Sequence, residues 1–498
     1  LFCRDWLEIS KEERARLEHR IPVLVEPFVY EYRINEKGIS CELVDEETFK
    51  EALMHTTRVY GKNIPLDVNA LNCKFNEDDF RELQIRYRKG EIGFVKNRLR
   101  RDEISSPQES DIENIDEKQK ESGIQSIRNG ELACISPNGG AGTRFMGGAV
   151  VKGACPLFKV GDGFRSFVEL KIAQNKWARK AFRGNIRQGF INSYATHDTT
   201  KKELGNSRNY GLDSVFLATD TDVMIRVVPG EEDLRHRHAL RKKEHHIRER
   251  LEEQAMEGWV RLYNGKKGQI IQTGGKNPLT KFSPPGHFDV FVTLFESGII
   301  PELLTEGVKY IMLSNIDNLA AVVDPSILGT LKNSGKSILV ELTSRWKDVG
   351  GALVLHQGKK RLLEGIAFPD KESELSNPYF NTATYWIDIE RLLDDIGMDK
   401  TRTHDKEYIK SFMRSLRKRM PVYVLIKDSF EEFDHGIIEP WPVAQFERLF
   451  GDITTMVDAS YVFVDRRKRF YPIKLLEEKR RALEAGLQKI LEETTVFN

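Results

Sequence analysis

The run Asn138-Gly139-Gly140-Ala141-Gly142-Thr143-Arg144, with Lys152 shortly after it, carries the residue types that hold a polyphosphate. Glycines let main-chain N–H groups approach phosphate oxygens where a Cβ would block the way, and they permit the positive φ angles of such a turn. Arg144 and Lys152 add fixed positive charge where the phosphates would lie. The run is neither the GxGxxG dinucleotide fingerprint nor GxxxxGK[ST], and a glycine-rich loop by itself also serves as a plain tight turn. Four further polar stretches follow. Residues 192–200 (NSYATHDTT) bring polar groups to the end of an apolar segment, and residues 283–289 (SPPGHFD) form a proline-stiffened turn that presents His287. Residues 314–319 (SNIDNL) end the most apolar segment of the chain, and residues 469–474 (RFYPIK) set Lys474 after a proline. Each has a plain use on its own: Asp317 could cap a helix, His287 could hydrogen-bond inside its loop, and Lys474 could simply be exposed.

The elements that must position these groups are legible in the hydrophobic pattern. An apolar segment at 131–135 precedes the glycine run and a helix over 167–180 follows it, the order in which main-chain amides surround phosphate. Further strands are expected at 188–194, 213–219, 310–316, 338–343, 351–355, 362–368 and 383–389. Strands alternating with helices predict an α/β domain with a mostly parallel sheet, whose ligands sit outside the carboxyl ends of the strands. Residues 1–125 are expected to form an α-rich N-terminal region, with helices over 11–20 and 78–101, that ends in a solvated linker over 102–120. The catalytic domain is expected over 126–400. Residues 401–498 form a C-terminal part with strands at 422–428 and 459–465, carrying Lys474 and ending in a helix over 475–493 with one apolar face. The stretch 231–254 places His236, His238, His245 and His246 among like charges, which predicts a surface helix or hairpin insertion rather than a metal site. A β-hairpin turning at Asn264-Gly265 is expected over 259–273.

Composition narrows the function classes. The chain has 498 residues and a formal net charge of +1, so no excess charge draws it to nucleic acid or an anionic membrane. No apolar run approaches the roughly 20 residues that span a bilayer, and the first residues lack an apolar signal-peptide core. Five cysteines without metal-type spacing point to a reduced, cytoplasmic setting. Cys155 is read as a small buried residue rather than a reactive thiol.

Taken together the polar stretches resemble the eukaryotic-type UTP–glucose-1-phosphate uridylyltransferases, or UDP-glucose pyrophosphorylases. The likeness spans most of residues 131–475: an NGGxGT loop, NSxxTxD from Asn192, PPGH ending at His287, SNIDNLxAxVD over 314–324, FNT at 380–382 and xxPxK ending at Lys474. It implies a Rossmann-like nucleotidyltransferase domain with a mixed, mostly parallel sheet. It also implies attack by a sugar-1-phosphate oxygen on the α-phosphorus of UTP, with Mg²⁺ as cofactor. By this likeness Asp317 is the metal ligand, Arg144 and Lys152 hold the phosphates, and Lys474 approaches them from the opposite side. The base is assigned to the loop around Asn138, Gly139, Gly140, Gly142 and Thr143, to Gly286-His287 and to Asn315; the sugar is assigned to Gly351, Glu364 and Asn381, with Asp198 near the sugar or metal. There are departures. The Gln-containing motif that reads uracil in relatives is absent from residues 218–225, and the usual Lys-Gly-Pro-Lys is reduced to a segment holding Lys152, with Lys159 as a substitute for the lost lysine. Relatives end in a β-helix that mediates assembly, so a monomer or small oligomer without it is expected here. The same motifs would also suit another sugar 1-phosphate, N-acetylglucosamine or galactose, or an inactive nucleotide-sugar-binding protein.

Overall fold

The computed structural model describes residues 30–35, 38–43, 74–140, 151–220, 222–241, 267–270, 282–346, 348–432, 438–474 and 476–497. Ten of its strands form one sheet. They are β1 (Ile104–Ser105), β2 (Leu132–Pro137), β3 (Ile186–Ser193), β4 (Phe216–Asp220), β5 (Tyr310–Ser314), β6 (Ile338–Ser344), β7 (Ala352–His356), β8 (Lys359–Leu363), β9 (Tyr379–Asp388) and β10 (Ala459–Phe463). The order is β8-β7-β9-β5-β2-β3-β4, with β6 between β9 and β10, and β1 on β7.

The sheet is mixed, as expected, but its parallel character is confined to the neighbours β5-β2-β3-β4 and to β6-β10. The other five pairings are antiparallel. One of these five has a local reason. β7 and β8 are joined by Gln357-Gly358, both at positive φ, a two-residue turn that can only make a hairpin. The strand expected at 362–368 is corrected accordingly: β8 ends at Leu363, and a short 3₁₀ turn covers Gly365–Ala367.

Helices pack on both faces of this sheet. Phe167–Phe182 begins where Ser166 Oγ accepts the Glu169 N–H, and it ends at Arg183 in the left-handed region. The core runs from the apolar strands into the helices Asp289–Glu296, Ile389–Ile396 and Lys406–Arg419. A second cluster joins Phe167, Leu170 and Phe190 to Ile316, Leu319 and Ile473, so the SNIDNL and RFYPIK stretches share one apolar floor. Among the described residues no helix is long and apolar enough to cross a membrane.

Three expectations outside the sheet change. The N-terminal region holds a β-hairpin, Tyr30–Asn35 with Gly38–Leu43, beside the helix Glu77–Arg88; the helix expected over 11–20 lies outside the described residues. The segment expected to be a solvated linker is tied to the domain. Glu103 O accepts the Gln357 N–H, Asp111 O accepts from Lys360 Nζ, and Glu113 bridges Val462. The terminal helix is interrupted by a single wide turn, Leu483–Leu487, where Gly486 stands at φ 127°. After residue 400, β10 completes the main sheet while the hairpin Tyr423–Glu432/Ile438–Glu447 packs on the N-terminal helix. His236 lies exposed on the helix Glu231–Arg241, whereas the hairpin turn at Asn264-Gly265 lies outside the described residues. Cys155 is buried, and burial pushes its thiol up to about 12, which makes it the inert residue it was taken for.

Candidate active site

β2 and β5 are parallel neighbours, so the loops that leave their carboxyl ends emerge side by side. The Ile316 N–H reaches back to Pro137 O across them. The glycine turn begins at Asn138, whose N–H goes to Ile191 O and whose buried side chain donates to Asn192 Oδ1 (2.9 Å) and Thr200 Oγ1 (3.0 Å). Asn138 therefore locks the start of the loop onto β3 and the helix His197–Asn206. Gly139 O accepts from Ser193 Oγ at 2.7 Å, and Gly140 is the last described residue before the loop. Gly142, Thr143 and Arg144 lie outside the described residues.

Lys152, on the far side of that loop, lies over the Phe167 ring and pairs with Asp317: Nζ to Oδ2 is 2.9 Å. The two side chains are 12% and 18% exposed, so the pair is mostly covered but still reached by solvent. The sequence places one candidate phosphate cation and the candidate metal carboxylate far apart, and the fold brings them into contact.

Asp317 is held from behind. Its carbonyl accepts the Ile473 N–H (3.1 Å), and buried Asn318 clasps the same segment, donating to Arg469 O (3.0 Å) and accepting the Tyr471 N–H (3.0 Å). This zipper puts Lys474 directly after the residue bonded to Asp317. Lys474 is exposed, and its backbone N–H donates to Glu478 at 2.6 Å. The side chain of Lys171 is buried and donates to Asn318 O and Ala321 O, with burial drawing its pKa down to about 8. Arg469 anchors the segment to the sheet. It forms two bonds to Glu341, which also accepts from Trp386 Nε1 (2.8 Å), and its third bond goes to Val322 O (2.9 Å). None of Asn318, Arg469, Glu341 and Lys171 was singled out from the sequence. Asn318 and Arg469 lie inside the SNIDNL and RFYPIK stretches without a role assigned to them, and for Glu341 and Lys171 the one available signal is an ionisable residue inside an apolar run, as in ILVELTS and VELKIA.

A second group gathers around Glu364. Gly351 O accepts the Asn381 N–H (3.0 Å), and the Asn381 side chain bonds Tyr385 Oη and the Ala383 N–H. Burial lifts the Glu364 carboxyl to about 7, against the lowering effect of the Gly451 N–H. Nearby Asp452 is also raised to about 7, by burial and then by Glu364; it accepts from Arg361 (2.7 Å) and Tyr423 Oη (3.1 Å). The three sugar-side candidates thus lie together. His287 Nδ1 accepts the Phe450 N–H at 2.9 Å, and the neighbouring Gly286 needs its φ of +113° because a Cβ would stand 2.3 Å from Arg448 O. Desolvation lowers the imidazole pKa, although the residue as a whole is exposed. Asn315 is exposed at the end of β5, and Asp198 is exposed in the first turn of its helix.

The family model described as UTP–glucose-1-phosphate uridylyltransferase matches residues 78–218 and 260–479, well over half of the chain. The chain belongs to this family. Similar uridylyltransferases include one from Encephalitozoon cuniculi, 28% identical over 64% of this chain and 55% of that protein. Another, from Musa acuminata, is 29% identical over 53% of this chain and 48% of that protein. The chain spans about half the length of the curated relatives it matches. Among solved structures, a Leishmania major UDP-glucose pyrophosphorylase in complex with UDP-glucose has a TM-score of 0.55 at 20% identity, over 85% of this chain and 76% of that one, a likeness of fold.

Proposed function

We propose that the chain is a uridylyltransferase that makes UDP-glucose and pyrophosphate from UTP and glucose 1-phosphate. The observation that carries this reading is the Lys152–Asp317 pair, whose carboxylate lies on the loop that bonds the end of β2 through Ile316 and Pro137, with Lys474 tethered beside it. In the reaction a phosphate oxygen of the sugar forms a bond to the α-phosphorus as the bond to the pyrophosphate oxygen breaks. No covalent enzyme intermediate is required, so the chain's work is in-line positioning and neutralising the charge that grows on the leaving group.

The residues suit Mg²⁺. Among the described residues no group of three or more His, Cys, Asp or Glu side chains gathers to cage an ion. A single partly open carboxylate at Asp317 is the donor set of a cation that takes its other ligands from phosphates and water. When bound, Mg²⁺ would supply charge compensation at the phosphate oxygens. Lys152 would then turn from Asp317 to the phosphates, and Lys474 would meet the leaving pyrophosphate from the other side. Glu364 would accept from two adjacent sugar hydroxyls, and the Asn315 side chain would match one edge of uracil.

The test is pyrophosphate release by purified protein given UTP, Mg²⁺ and a panel of sugar 1-phosphates. Release with glucose 1-phosphate above all others is the expected result. Preference for an N-acetylated sugar or galactose would replace the sugar, and no release with any of them would leave only nucleotide-sugar binding.

A further inference from the structure

Two consecutive residues far from any family motif hold one side chain from each half of the candidate site. The Phe450 N–H is accepted by His287 Nδ1, and the next residue, Gly451, lies directly against the Glu364 carboxylate. An Nδ1 that accepts fixes the neutral ring's proton on Nε2, so His287 offers a single donor on the nucleotide side. A Cβ on residue 451 would stand 2.5 Å from Glu364 Oε1, so glycine lets the carboxylate sit where it does.

The turn that carries these amides is itself fixed to the strand leading into Glu364. Thr454 Oγ1 accepts the Leu362 N–H (3.0 Å) and donates to Gly451 O (2.7 Å), both in buried surroundings. Arg361 bonds Asp452 on the same turn, and the Phe450 ring packs edge-on against Tyr385, 4.7 Å between centroids. The end of β8 and residues 450–455 therefore move as one piece.

We propose that the Phe450–Gly451 turn is a positioning element that determines specificity, setting a neutral His287 donor and the Glu364 acceptor at one spacing so that the sugar hydroxyls are read at a fixed distance from the nucleotide. The proposal rests on the uridylyltransferase reading and adds to it residues that touch neither substrate. A role confined to folding would lower stability without separating the two substrates. The positioning role does separate them, because only Glu364 is displaced when a Cβ enters at residue 451.

The experiment is steady-state kinetics of Gly451→Ala, Thr454→Val and Thr454→Ser with UTP and glucose 1-phosphate. Gly451→Ala is expected to raise KM for glucose 1-phosphate about tenfold or more, the size of one charged hydrogen bond, and to leave KM for UTP within about twofold. Thr454→Val should raise the sugar KM in the same direction and Thr454→Ser should restore it, so the pair decides the matter even if the alanine variant fails to fold. Equal shifts in both KM values, or no shift in either, would overturn the proposal. A wild-type enzyme that releases no pyrophosphate from any sugar 1-phosphate would remove the underlying reading instead, and the proposal with it.

Discussion

The loop that carries Asp317 and the turn that carries Glu364 belong to one site, yet they are held by different means. Around Asp317 charge is fixed by charge: Lys152 on the carboxylate, Lys171 on the loop carbonyls, and Arg469 on Glu341 beneath. Around Glu364 the backbone does most of the placing: Gly451 packs against the carboxylate, the Phe450 amide holds His287, and the Gly351 carbonyl holds Asn381. The division follows the task. Phosphoryl chemistry moves negative charge and needs cations already held at the site. Sugar recognition needs a neutral-to-anionic acceptor at a set distance, which main chain fixes with little loss of side-chain entropy.

On that comparison the largest loss comes from the charged side. Asp317→Ala should lower turnover by about three orders of magnitude or more, because the carboxylate is the leading candidate anchor for the cation. The check is single-turnover pyrophosphate release at saturating UTP. Near-normal turnover would move the metal elsewhere and dissolve the contrast between the two sides.

Next in size is the buried ion pair. Arg469→Met leaves Glu341 charged and buried without its cation, which should cost roughly 3–5 kcal/mol of stability, measured by chemical denaturation. The double change Arg469→Met with Glu341→Leu should recover much of that stability, since an apolar pair of similar volume often replaces a buried ion pair. Turnover should stay low in the double variant, because the Asp317–Lys474 zipper has lost its anchor. Recovery of both would make the pair a stability element alone.

Much of this site could be read from the chain before any coordinates, and the limits have physical causes. The NGG run, SNIDN and RFYPIK are dense in polar types at the ends of apolar segments, and the parallel pairing of β2 with β5 puts two of them side by side. The strands 310–316 and 338–343 were legible because an apolar run flanked by polar residues has few other uses. What was not legible depends on long-range contact. Glu341 reads as one polar residue in an apolar strand until Arg469 meets it across 128 positions of sequence. Gly451 reads as an ordinary turn glycine until Glu364 is seen against it. The β7–β8 hairpin is hard to read because its turn puts Gln357, a non-glycine residue, at positive φ, so β8 begins three residues before the expected strand, and the other antiparallel pairings join strands distant in sequence.

A smaller effect sharpens the phosphate side. Lys474→Ala should lower turnover by about ten- to a hundredfold and change KM for either substrate much less, if the exposed lysine meets the phosphates only as charge builds on them. Steady-state kinetics checks this. A KM rise with unchanged turnover would make Lys474 a ground-state ligand.

The smallest effect tests the sugar side, and it is read by pH. Burial raises Glu364 to about 7, so the carboxyl takes up a proton as pH falls through that value and one of its two acceptor oxygens becomes a donor. KM for glucose 1-phosphate should therefore rise a few-fold between about pH 8 and 6 and level off above it. The substrate phosphate has its own second ionisation near about 6, but that is common to wild type and Glu364→Gln, and the difference between their profiles isolates the carboxyl. Stability runs the other way. A carboxyl whose folded pKa is raised contributes stability below its unfolded pKa of about 4, and that contribution is lost as pH rises through about 7, for Glu364 and Asp452 alike. Glu364→Gln should flatten the KM curve and remove Glu364's share of the stability curve, leaving the share due to Asp452. If only the stability curve flattened, Glu364 would be a buried acid that never meets the sugar, and the backbone-held half of the comparison would lose its ligand.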